Sequence, residues 1–136
     1  MQAKDIIEER TETYLRMLGI KIKSLGYGYL KTAIMLACEN PELVKNITTK
    51  LYVLVAKQYN VNPKSVERNI RTTIDSAYRE GDLLEINSIY GKVIYKNDFK
   101  LSNGELISLL MLKIGFDVKR YEFSKKYNIV ISTPEE

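Results

Sequence analysis

Apolar residues recur every three or four positions through most of this chain, the spacing that keeps one face of an α-helix buried. Residues 4 to 18 place Ile6, Ile7, Tyr14, Leu15 and Leu18 on such a stripe, with acids near the start and Gly19 at the end. A second helix is predicted from Gly26 or Tyr27 to Cys38, buried by Leu30, Ala33, Ile34 and Ala37. Asn40-Pro41 restarts the chain, with asparagine as cap and proline in the first turn, where its missing N–H costs nothing. A third helix is expected to bury Ile47, Leu51, Leu54 and Val55, with small Ala56 admitting a close neighbour. After Asn60, suited to a left-handed turn, and Val61, the pair Asn62-Pro63 repeats the cap and opens a fourth helix. Val66, Ile70, Ile74 and Ala77 form its inner face, and Gly81 ends it.

The remainder is more mixed. A short helix is predicted over Leu83 to Tyr90, followed by a loop to Leu101 that includes a short extended piece. Ser102 and Glu105 fit a capping box ahead of a strongly apolar helix, ELISLLMLKI. Past Gly115 the aromatic and β-branched content of FDVKRYEFSKKYNIVIS predicts a β-like extension, as a hairpin or paired elsewhere. The expected architecture is all-α: a six-helix domain over 1–114 containing a helix-turn-helix, with 115–136 as an extension of open structure.

The third and fourth helices, residues 48 to 81, carry the functional signal. On the fourth, Lys64, Glu67, Arg68 and Arg71 share one face opposite Val66, Ile70 and Ile74, and Ser65 lies at its edge in the first turn. The start of a recognition helix is the part that reaches base edges in the major groove. Arg68 can give two parallel hydrogen bonds to guanine and Glu67 can accept from a cytosine amino group. Lys64 and Arg71, with Lys50 and Thr49 on the scaffold helix, are assigned to phosphates, which position without reading sequence. The bland alternative is a solvated basic face, but an acid amid the cations offers a non-specific binder nothing.

Charge distribution sharpens this picture. The net charge is only +4, yet residues 43 to 72 hold six Lys or Arg against Glu67 alone, a surplus of five inside the helix-turn-helix. Other chemistry is poorly supplied. The absence of histidine and the single cysteine, Cys38, remove common zinc sets and most nucleophile–base pairs, so no enzyme, metal or cofactor is expected. GYGYLKT at residue 26 lacks the glycine before lysine that a phosphate-binding loop needs. No apolar run approaches a membrane span and the N-terminus lacks a signal peptide, so a cytoplasmic, nucleoid-associated protein without small-molecule substrate is expected.

Four segments, GYGYLKTAIML, TKLYVLVAKQYN, SVERNIRTTIDSAYREG and SNGELI, resemble the DNA-binding effector-domain family of stage zero sporulation protein A, a response regulator of endospore-forming bacteria. The similarity runs from about Ile7 to Lys113. It implies an all-helical six-helix domain that binds short duplex DNA boxes, often as tandem copies, and activates or represses promoters. Glu67 and Arg68 match the family's base-reading pair and Arg71 a basic residue of the same face. Ser65 departs from a usual arginine, and Val53 from a proline common in the scaffold helix. The family's contact with the polymerase sigma subunit would fall on Gly81 to Ile94, including Glu85, Tyr90 and Ile94. The family's receiver domain finds no room ahead of the second helix, so phosphorylation control is expected to be absent, with abundance or a partner on 115–136 replacing it. The rival reading is an interaction module that modulates the full-length regulator or the polymerase while binding DNA weakly.

Overall fold

In the computed structural model, which describes residues 2–130, the long helices are stopped and started by local chemistry that the side chains supply. Helix α1 spans Ala3–Met17 and opens on a reciprocal cap between Gln2 and Asp5. Helix α2 spans Leu25–Glu39, and Ser24 Oγ accepts from the Tyr27 N–H at 3.1 Å. A 3₁₀ turn, Pro41–Asn46, and a π-helical turn, Ile47–Leu51, lead into α3, Tyr52–Tyr59. Helix α4 spans Pro63–Arg79, a further 3₁₀ turn covers Asp82–Glu85, α5 is Ile86–Tyr90, and α6 runs over Asn103–Tyr127. The six expected helices are present, and no strand occurs among the described residues.

Helix α2 is the hub, packed against α4, α6 and α1. Leu30 and Ile34 from it, Ile70 and Ile74 from α4, and Leu106 and Ile107 from α6 are fully buried. Burying one such side chain is worth roughly 1.5–3 kcal/mol, so this apolar centre is the main source of the bundle's cohesion. The crossing of α2 over α4 depends on Gly26. A Cβ there would lie 1.8 Å from Thr73 Oγ1 and 2.6 Å from the Asn69 carbonyl oxygen. The bare backbone lets the two helices touch.

Two expectations need correction. Residues 116–127 are helical, not β-like, because Asp117 is buried and Val118 packs on the core, continuing the burial of Ile114 one turn on. Aromatic content suggested a hairpin; the three-to-four spacing decides for helix. Asn128, in the left-handed conformation, ends it, and residues 131 and 132 of that expectation lie outside the described part. Leu54 is exposed, while Tyr52, Val55 and Ala56 face inward. The wide π turn at Ile47–Leu51 shifts the phase of the helix that follows. The extended piece of the 91–101 loop has no strand partner. Instead Asn87 Oδ1 accepts from the N–H groups of Ile94 and Tyr95 at 2.8 and 3.0 Å, and its amide donates to the Tyr95 carbonyl.

Candidate nucleic-acid interface

The turn between α3 and α4 forms as its residues require. Asn60 adopts φ 55°, ψ 51°, and the Val61 N–H reaches back to the Ala56 carbonyl at 2.9 Å. Val61 packs against the core, fixing the angle between the helices. Asn62 Oδ1 accepts from the Lys64 N–H at 2.8 Å and Pro63 occupies the first turn, so α4 starts sharply. Its burial is one-sided: Val66, Ile70, Ile74 and Ala77 go inward, and the opposite face carries the polar side chains.

On that face Lys64, Arg68 and Arg71 are exposed and Glu67 is partly so. Arg68 has no hydrogen-bond or ion-pair partner among the described residues, which leaves its guanidinium available. Glu67 is engaged: its carboxylate accepts from Arg71 one turn further on. The expectation that these two act separately therefore changes, because in the free protein the acid and the phosphate-assigned cation neutralise one another. With side chains 36% and 48% exposed, such a pair is worth only about 0.3–0.5 kcal/mol. A base edge or a phosphate can readily replace either partner.

Ser65 is half-buried, and the Asn69 amide donates to both its carbonyl (2.8 Å) and its Oγ (3.3 Å). Thr49 and Lys50 are exposed on the π turn that precedes α3. The three residues of the proposed polymerase segment separate. Glu85 and Ile94 are exposed, whereas the half-buried Tyr90 donates its hydroxyl to the Leu109 carbonyl at 2.6 Å, and burial raises its phenol above the usual range.

Sequence reasoning missed the support behind the face. Buried Asn103, the first residue of α6, donates through its amide to the Glu67 carbonyl at 3.1 Å and to the Tyr52 hydroxyl at 3.0 Å. That side chain ties α6, α3 and α4 together beneath the exposed residues. Burial raises the Tyr52 phenol, against the opposing effect of the Asn103 hydrogen bond. Lys100 pairs with Asp75 at 2.6 Å and fastens the preceding loop to α4. An asparagine directly after a capping serine was the available signal, since it is a weak helix former with a side chain suited to bridging backbone groups.

Burial pushes the Cys38 thiol up to about 12, which leaves little thiolate near neutral pH. No cluster of potential metal ligands occurs among the described residues. No described helix is long and apolar enough to cross a membrane.

A one-sided α4, preceded by a tight asparagine turn and presenting cations outward, is the geometry of a helix-turn-helix reader. Comparison with known families agrees with it. The family model described as Sporulation initiation factor Spo0A C terminal matches residues 11–114, from the middle of α1 through the first half of α6. The chain therefore belongs to that family, a family of DNA-binding effector domains in transcription regulation.

Proposed function

We propose that this domain reads short boxes in duplex DNA by laying α4 in the major groove and so regulates promoters. The observation that carries this reading is the unpartnered, exposed Arg68 in the second turn of α4. From there a guanidinium can bond a guanine edge, a contact worth roughly 1–3 kcal/mol of discrimination. Glu67 exchanges Arg71 for a cytosine amino group, and Arg71 then joins Lys64, Lys50 and Thr49 on phosphates. Ser65, held by Asn69, contributes less than the arginine its relatives use. Tandem boxes would bring a second copy alongside. Glu85 and Ile94, flanked by the exposed apolar Leu84 and Val93, offer a contact to the polymerase sigma subunit.

Selection of bound sequences from random duplexes, followed by gel shifts on selected and scrambled duplexes at rising salt, tests this directly. Selected duplexes should bind more tightly, and Arg68→Ala should erase most of that preference while the melting temperature holds. Equal loss on both duplexes would assign Arg68 to the backbone. Failure to enrich any sequence would favour the interaction-module reading.

A further inference from the structure

We propose that the outer face of the C-terminal half of α6 is a docking surface for an acidic amphipathic helix of a partner protein. The matched family domain stops at residue 114, but the helix continues to Tyr127 with two distinct faces. The inner face is fastened to α1. Buried Asp117 accepts from the Tyr14 hydroxyl and the Lys113 ammonium (3.1 Å), and the Arg10 guanidinium lies 3.5 Å away. The outer face should be polar on a helix that ends in solvent. Instead Leu112, Phe116, Phe123 and Tyr127 are 54%, 62%, 56% and 55% exposed along one stripe.

The spacing of this stripe suits a helix as its occupant. Leu112, Phe116, Lys119, Phe123 and Lys126 follow one another at intervals of four and three, the seam of a helix pair. From Leu112 to Tyr127 it is about 22 Å long, enough for four turns of a partner. At its inner end Gly115 leaves a notch of about 240 Å³ between Phe116, Leu112, Met111, Cys38 and Pro41, fit for one apolar anchor side chain.

Charge selects the kind of helix. This stretch exposes Lys119, Arg120, Lys125 and Lys126 against one exposed acid, Glu122, since Asp117 points inward. Lys119 and Lys126 lie in the seam itself. A second copy in parallel would set each lysine against its own counterpart, and an antiparallel copy centred on the stripe would do so at Lys119. A partner with glutamates facing those positions satisfies both the apolar and the cationic groups.

Fluorescence anisotropy with the full chain and a labelled helical Leu/Glu peptide of roughly 18 residues tests the proposal. A Leu/Lys peptide of the same pattern is the control. Saturable binding of the acidic peptide alone is expected. It should weaken by roughly tenfold or more in Phe116→Asp/Phe123→Asp and in Gly115→Leu. Gly115→Leu extends a side chain into the notch from a Cβ that itself meets nothing within 4 Å. A melting temperature held in the double variant, and held or raised in Gly115→Leu, completes the expected result. Absence of binding, equal binding of the basic peptide, or full binding by both variants overturns the proposal. So does a wild-type dimer in sedimentation that both variants abolish, which assigns the stripe to a second copy. Co-sedimentation with phosphatidylglycerol vesicles that both variants lose assigns it to lipid, and equally overturns the proposal.

Discussion

The Asn103 side chain donates to the main-chain carbonyl of Glu67, 36 residues earlier, at 3.1 Å. The start of the last helix thereby steadies the middle of the exposed face of α4. Asn103→Ala leaves the Tyr52 hydroxyl and the second lone pair of that carbonyl without this donor. Such a loss in a buried setting costs about 1–3 kcal/mol. Urea denaturation should show the unfolding free energy falling by that amount, through a lower midpoint at unchanged slope. A neutral result would mean water replaces the amide at no cost.

Gly26 and Gly115 make a matched pair of opposite sign. Gly26→Ala drives a methyl into Thr73 and the Asn69 carbonyl, and forced overpacking of this kind costs roughly 1–3 kcal/mol. Because both residues it displaces belong to α4, DNA affinity should fall together with stability. Gly115→Ala meets open space inside a helix and should stabilise by about 0.5–1 kcal/mol. Thermal melts of the two variants decide whether α2 really sets the position of α4.

Removing the Glu67 carboxylate separates reading from attraction. Glu67→Gln releases Arg71 from its ion pair and deletes the one acid of the basic face. Affinity for scrambled duplex should rise, and the logarithmic salt dependence should steepen by about one phosphate contact. Preference for the selected box should shrink at the same time. Gel shifts across a salt series measure all three quantities. A gain in affinity with preference intact would leave Glu67 as a charge regulator only.

Alkaline pH should unfold this protein more steeply than its surface charge alone demands. Burial raises the Tyr14 and Tyr52 phenols, and at Tyr14 the Asp117 hydrogen bond adds to it. A folded-state value above the unfolded one, near 10, means this stability is complete below pH 10 and is lost as pH climbs beyond it. Each group contributes at most about 1.4 kcal/mol per pH unit in that window. Tyr14→Phe should flatten the alkaline limb of a stability–pH curve by about one such slope. An identical limb in the variant would place the titration elsewhere.

Much of this molecule was legible because its helices are punctuated by residues with a single local job. Asn60, Asn62-Pro63, Gly81 and the Ser102–Glu105 box each do at a helix end what their chemistry requires. The inner face of α4 was equally plain from its spacing. Two things were not. Local composition suggested β structure past Gly115, and only the buried contact of Asp117 with α1 reveals why the helix continues. The Glu67–Arg71 pair was visible as a spacing of four, but that spacing alone does not say whether such neighbours clasp or stay apart.

The clasp between Tyr14 and Asp117 joins residues 103 positions apart in the chain. In the order of synthesis the tyrosine hydroxyl waits through the whole intervening stretch before the matching carboxylate exists. Helix α1 is thus sealed only after α2 to α5 and half of α6 have been made. A chain that stops short of Asp117 leaves α1 without this seal.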